Sequence, residues 1–374
     1  MKKDYNLLVQ KNRGQFYSSV SDEDWFDYRW QMANRIKTKE SLMSRFNVAV
    51  GSGFSQVIKK FPFSITPYFF SLMDHDAVHD DPLFCQVFPD EKELISSDIL
   101  KIDPFRENKL ENCPLPGVLK RYPDRVVLLT TSECPSLCRY CTRKWNWAEK
   151  YTLTESDLKD VVVYLKANPH IREVIISGGE PLLLENHKLD MILSAISSIN
   201  SVQTIRIGTR ILSFLPYRID DGLTDVLKKY FPVWIVTHFN HSNEISKDTE
   251  VAVKKILQSG SSLCNQSVLL KNINTTYDDM RKLNNTLQQI MVKPYYLFYP
   301  DLIEGTVHFR SDLNDGISLM QALRGNCSGM SIPQFVIDLP EGGKVPLLPE
   351  YIVKEDSDFI YFKNYENKIV QYKK

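Results

Sequence analysis

Cys134, Cys138 and Cys141 stand within eight residues of one another in CPSLCRYC. Three thiolates at this spacing in one loop can each hold one iron of a 4Fe–4S cluster, leaving the fourth iron without a protein ligand. An open iron can take a substrate or cofactor directly, as a catalytic zinc does at its free position. A structural zinc would need a fourth ligand, for which Tyr140 is poor, and no second C-x2-C occurs in the chain. Cys85, Cys113, Cys264 and Cys327 have no partner at ligand spacing and read as reduced thiols packed as small hydrophobes. Cys264 and Cys327 are therefore expected not to bind the cluster. DHDAVHDD offers His75, Asp76, His79 and Asp80, but four such ligands need a fold to converge them, and a solvated acidic loop is the expectation. SGGEP, Ser177 to Pro181, has two glycines that let a bound group approach the backbone, with Glu180 beside them. Alone it is a turn signal.

These residues need elements to position them. From Val126 the sequence alternates β-rich and helical runs: VVLLTT, EVIISGGEP, TIRIGTR, VWIVTHFN, LCNQSVLL, PYYLFYPD and FVIDLP. Several begin apolar and end polar, the pattern of buried parallel strands whose carboxyl ends line a site. TESDLKDVVVYLKAN predicts a helix capped by Thr154 with Asp157 three residues on. In DDMRKLNNTLQQI, Met280, Leu283, Leu287 and Ile290 recur at helical spacing. Six or seven βα units favour an α/β barrel, complete or partial, and periodicity alone does not separate it from a doubly wound sheet. Upstream, SDEDWFDYRWQMANRI predicts a helix opened by Ser21, and residues 74–116 read as irregular connection. The expected organisation is a helical N-terminal region over 1–120, a barrel over 121–340 and a C-terminal segment over 341–374.

Lys plus Arg equals Asp plus Glu at 46 each, so no broad positive field exists to attract nucleic acid or an anionic membrane. No apolar run approaches the ~20 residues of a membrane span. MKKDYNLLVQ lacks the apolar core of a secretory signal, and a cytoplasmic location is expected.

The cysteine triplet after the first strand, with SGGEP after the second, resembles the radical S-adenosylmethionine (SAM) superfamily. PLPGVLKRYPDRVVLLTTSEC, RIGTR, HFNH, NQSVLLKNIN, LRGNCSG and FVIDLPEGGKVPLLPEYIV resemble the lysine 2,3-aminomutase family, in order, from about Trp25 to Val353. The resemblance implies a partial (β/α)6-type barrel using a 4Fe–4S cluster, SAM and pyridoxal 5′-phosphate (PLP). It implies transfer of an α-amino group to the β carbon, L-lysine giving β-lysine, with arginine as the alternative. A PLP-independent radical SAM enzyme on the same scaffold is the rival reading. By resemblance, the backbone of Ser177, Gly178 and Gly179 meets the SAM methionyl group, Glu180 adds a carboxylate to its amine, and Gln266 lies on the cofactor side. Lys344 would carry PLP, although GGK also describes an ordinary surface turn. Arg121, Tyr122 and Arg125 would hold its phosphate, since guanidinium forks suit phosphate oxygens, against a basic linker with an Arg–Asp124 pair. Arg143 would take the substrate carboxylate, and Asp301 and Asp338 the distal ammonium, because converging carboxylates repel unless a cation sits between them. The implied partners are a small amino-acid substrate, an electron donor such as a flavodoxin or ferredoxin, and further copies of the chain. The chain departs from the family in a glycine run one residue shorter at Glu341, in Phe298 where a hydroxyl is usual, and in having no cysteine after Cys327 for a subunit-contact zinc.

Overall fold

The β-rich runs form strands of one sheet in the computed structural model, which describes residues 5–374 apart from 47, 49, 99, 108, 148, 341, 342 and 365. Glu341 and Gly342 of the EGGK turn thus lie outside the described residues. The strands follow chain order: β1 (Val118–Tyr122), β2 (Arg125–Leu129), β3 (Glu173–Ser177), β4 (Thr204–Gly208), β5 (Val233–Thr237), β6 (Ser262–Val268), β7 (Lys293–Phe298), β8 (Gln334–Leu339) and β9 (Gly343–Pro346). β2 to β8 run parallel, with β1 and β9 added antiparallel at the two edges. A helix connects each parallel pair, among them Glu155–Ala167 and Tyr277–Gln289. The first has the expected reciprocal cap between Thr154 and Asp157, and the second buries Met280, Leu283 and Leu287.

Among the described residues, no ladder joins β1 to β9. Side chains bridge this seam: Arg121 Nη2 donates to Leu339 O at 2.8 Å, and the Lys344 amide donates to Tyr122 Oη at 2.8 Å. The sheet is a parted barrel.

The strands alternate more strictly than their apolar runs suggest. Val126, Leu128, Val174, Ile176, Ile205 and Ile207 are buried among helix residues such as Leu158, Leu165, Leu189 and Ile192. Each such side chain contributes about 1.5–3 kcal/mol by leaving water. The opposite register, Val127, Ile175, Ser177, Arg206 and Gly208, faces inward and lines a cavity. A closed barrel fills that space with branched residues. Here Ser, Gly and an arginine leave it open.

Upstream, Ser21 caps Asp22–Phe26, but the helix stops at Asp27, whose backbone is extended and whose side chain accepts from Arg29 N to start Tyr28–Ala33. The single helix expected there is two. Local capping by an aspartate outcompetes continuation. These short helices enclose an aromatic core of Trp25, Phe46, Tyr68, Phe69, Phe70 and Phe84. The DHDAVHDD segment lies at its edge, with Asp76, Ala77, His79 and Asp80 exposed as a solvated loop requires and Asp74 and Asp81 buried. Asp81 is buried and accepts from the amides of Leu83, Phe84 and Asp74, and His75 bonds Phe70 O. Beyond β9, β10 (Ile352–Glu355), β11 (Phe359–Lys363) and β12 (Ile369–Lys373) make a separate antiparallel sheet. No helix among the described residues is long and apolar enough to cross a membrane.

Candidate active site

The cysteine loop leaves β2 and is laced to SGGEP. Gly178 has φ +134°, and a Cβ there would stand 2.4 Å from Thr131 O; at Gly179 it would stand 2.3 Å from Glu133 O. Both glycines are thus required by the chain's own close approach. Gly179 N donates to Thr131 O at 2.5 Å and Glu180 N to Glu133 O at 2.7 Å, one residue before Cys134. Glu180 is held from a second side as well. Its buried carboxylate accepts from Thr209 Oγ1 (2.6 Å), Arg210 N (2.8 Å) and Leu182 N (3.2 Å), so it ties this turn to the end of β4. Burial raises its pKa to about 7, against those hydrogen bonds. Oε2 accepts only the Arg210 amide, so the carboxylate keeps acceptor capacity for an amine.

Burial, reinforced by the neighbouring cysteines, pushes the Cys134 thiol well up and Cys141 to about 11. Such thiols surrender protons to a strongly positive centre, as iron ligation requires. Among the described residues, no three His, Cys, Asp or Glu converge on a point that would suit a single ion. A cluster asks less, because each cysteine takes a different iron. Arg210 Nη1 lies 2.8 Å from Cys138 Sγ, beside Gln86 and Glu244. His238 stands next to this network, 3.0 Å from Tyr140 Oη. Burial and then Arg210 lower its pKa to about 3, so its imidazole is neutral near pH 7.

Next to this loop a cavity of about 530 Å³ fills the barrel. It gathers Arg121, Tyr122, Arg125, Arg143, Ser177, Gln266, Asp301, Asp338 and Lys344, while the three cysteines, Gly178, Gly179 and Glu180 stand beyond its wall. Its charges are paired within the chain. Arg143 grips Glu107 with both nitrogens at 2.8 Å. Asp338 pairs with Arg121 at 3.1 Å and Lys344 at 3.3 Å. Arg125 pairs with Asp124 at 3.1 Å and lies over the Tyr122 ring, the alternative weighed for KRYPDR. Asp301 is pushed up to about 7, first by burial and then by Asp338, with Arg121, Arg310 and Lys344 opposing.

Sequence reasoning missed Glu107, Arg206, Tyr295 and Tyr296 on this wall. Arg206 and Gly208 share a face at period two in RIGTR, a signal that was there to be used. Glu107 lies in the irregular stretch and has none.

The description of the radical SAM superfamily matches residues 128–274, and that of lysine-2,3-aminomutase matches residues 320–374. The L-lysine 2,3-aminomutase of Methanococcus maripaludis is 42% identical over 356 residues, covering 94% of this chain and 82% of that protein. The chain belongs to the lysine 2,3-aminomutase family. The L-lysine 2,3-aminomutase of Clostridium subterminale is 38% identical, covering 96% of this chain and 87% of that protein. The glutamate 2,3-aminomutase of Clostridioides difficile is 37% identical, covering 94% and 83%. This aminomutase is therefore a radical SAM isomerase, and membership brings a 4Fe–4S cluster, SAM and PLP. The residues present suit the third group. The Lys344 amine reaches the cavity between the Tyr122 and Phe298 rings, 5.4 and 5.7 Å from their centroids, with the guanidinium groups of Arg121, Arg125, Arg143 and Arg206 lining the same cavity.

Proposed function

We propose that this aminomutase moves the α-amino group of a basic amino acid to its β carbon, L-lysine foremost, with arginine as the alternative. The observation that carries the reading is the charge pattern of the cavity. One seat, at Arg143, holds a carboxylate from Glu107, and another, at Asp338 beside Asp301, holds cations from Lys344 and Arg121. A lysine zwitterion carries a carboxylate and a distal ammonium that exchange with these pairs like for like. Glutamate would bring a third carboxylate toward Asp301 and Asp338, which like-charge repulsion opposes.

In this reading Cys134, Cys138 and Cys141 hold the cluster. The Ser177–Gly179 backbone and Gln266 face SAM, Lys344 anchors PLP, and Arg121, Tyr122 and Arg125 take its phosphate. When bound, these groups supply a carbon radical at the β position and a conjugated ring across which nitrogen migrates. The chain keeps hydrogen donors away: Val127, Ile175, Val236 and Val268 present an apolar wall. Drawing the Lys344 amine from Asp338 opens that carboxylate to the substrate's ammonium. A flavodoxin or ferredoxin would deliver the electron.

The test is substitution at the two seats. Breaking a buried ion pair by removing one partner costs ~3–5 kcal/mol, so Asp301→Ala or Asp338→Ala should lose at least about a hundredfold in kcat/KM for lysine. Arg143→Ala should lose equally for every amino acid it can turn over. Turnover of glutamate or alanine, with lysine and arginine inert, would overturn the substrate reading and leave the chemistry standing.

A pH profile gives a second check. With burial holding Asp301 near 7, its carboxyl is neutral in acid and charged above that value. A cation binds the charged form, so the KM for lysine should fall about tenfold per pH unit from about 5 toward 7 and level off above. A KM flat across that range would show that Asp301 does not meet the cation.

A further inference from the structure

We infer that Glu93 is a positioning residue for the iron–sulfur loop, holding its backbone in the conformation that three irons require. The inference rests on the assignment of Cys134, Cys138 and Cys141 as cluster ligands.

Glu93 comes from the irregular stretch after the N-terminal helices, in the short turn Glu91–Leu94, and is fully buried. Its Oε1 accepts from Arg139 Nε at 2.8 Å, and its Oε2 accepts from Arg139 Nη2 and Lys144 Nζ, both at 2.6 Å. Arg139 and Lys144 are also fully buried, and they bracket Cys141 within the loop. The clamp continues outward. Lys144 Nζ donates to Arg139 O and to Gly305 O, each at 3.0 Å, and Arg139 donates to Pro62 O at 2.7 Å and Phe61 O at 3.2 Å. One carboxylate therefore fixes both ends of the stretch that presents Cys141, and anchors it to the helical region and to the loop after β7. None of the three side chains lines the barrel cavity. Three buried ions form a costly device for fold stability alone, since apolar replacements of the same shape serve a core as well or better. A ligand loop justifies it, because outer partners that orient metal ligands typically carry 10–100-fold in metal retention.

The test uses the full chain, reconstituted anaerobically with iron and sulfide. Glu93→Gln alone leaves two buried cations without their anion. The double variant Glu93→Gln with Lys144→Met keeps the native net charge of the group, +1, while removing the clamp. Measured are thermal unfolding of the iron-free protein, iron per chain, the rate of iron loss to a chelator, and the electron paramagnetic resonance of the reduced cluster. The double variant should unfold within a few degrees of wild type, lose iron at least about tenfold faster and show an altered resonance. Glu93→Asp, which restores a carboxylate, should recover part of the retention. Wild-type retention and resonance in the double variant would overturn the inference. Loss of folding in both iron-free variants would overturn it too, by making Glu93 a support of the whole fold. Cys138→Ala serves as the control for the ligand assignment: full iron there would refute that assignment without touching Glu93.

Discussion

Replacing Cys134, Cys138 or Cys141 singly with alanine should drop iron from about four per chain to near none and abolish SAM cleavage. Each cysteine serves one iron, so losing any one leaves a corner open and the remaining two thiolates unable to retain the cluster. The packing sharpens the expectation. Burial and neighbouring cysteines push the Cys134 and Cys141 thiols up, a cost that only a fully ligated cluster offsets. Cys264→Ser should keep full iron. It sits near the start of β6, level with Val236 and Lys293, whereas the cysteine loop follows the end of β2. Stoichiometric zinc with no iron in anaerobically prepared protein would defeat the assignment, as would equal iron loss from Cys264→Ser.

The second large effect is expected at Lys344. Lys344→Ala should remove the visible absorbance of PLP bound through an amine and reduce amino-group migration to background. SAM cleavage by the reduced cluster should survive, since the three cysteines, Gly178, Gly179 and Glu180 stand beyond the cavity wall. Lys344→Arg separates two roles. A guanidinium can still pair with Asp338, now 3.3 Å from the lysine nitrogen, but it cannot make the covalent link. Equal losses in the two variants, with normal iron in both, point to the link; activity in Lys344→Arg would make the charge decisive and overturn the covalent role.

The parallel strands, their helices and the two motifs at the strand ends were legible because each rests on local pattern: period two, period 3.6, a cap, a glycine pair. The gathering of Arg121, Arg143, Gln266, Asp301, Asp338 and Lys344 around one cavity followed from their positions along those strands and loops. What stayed hidden depends on distance along the chain. Glu107 meets Arg143 across 36 positions and Glu93 meets Arg139 across 46, both from a segment whose composition signals only irregular backbone. The tie at Glu180 was hidden for a related reason. Its partners Thr209 and Arg210 follow the next strand, and nothing in SGGEP announces that the carboxylate bonds there.

The seam between β1 and β9 has a mechanical consequence. A backbone ladder spreads radial load over every amide, whereas this hoop is fastened by the Arg121 and Tyr122 side chains and the Arg121–Asp338 pair. Each such hydrogen bond contributes about 0.5–1.5 kcal/mol net, so unbuttoning the wall there costs only a few kcal/mol. The fasteners are drawn from the residues that face the cavity, which makes the girth of the barrel responsive to what the cavity holds. Hydrogen exchange at the Lys344 amide, whose acceptor is a phenol across the gap, would register that girth directly.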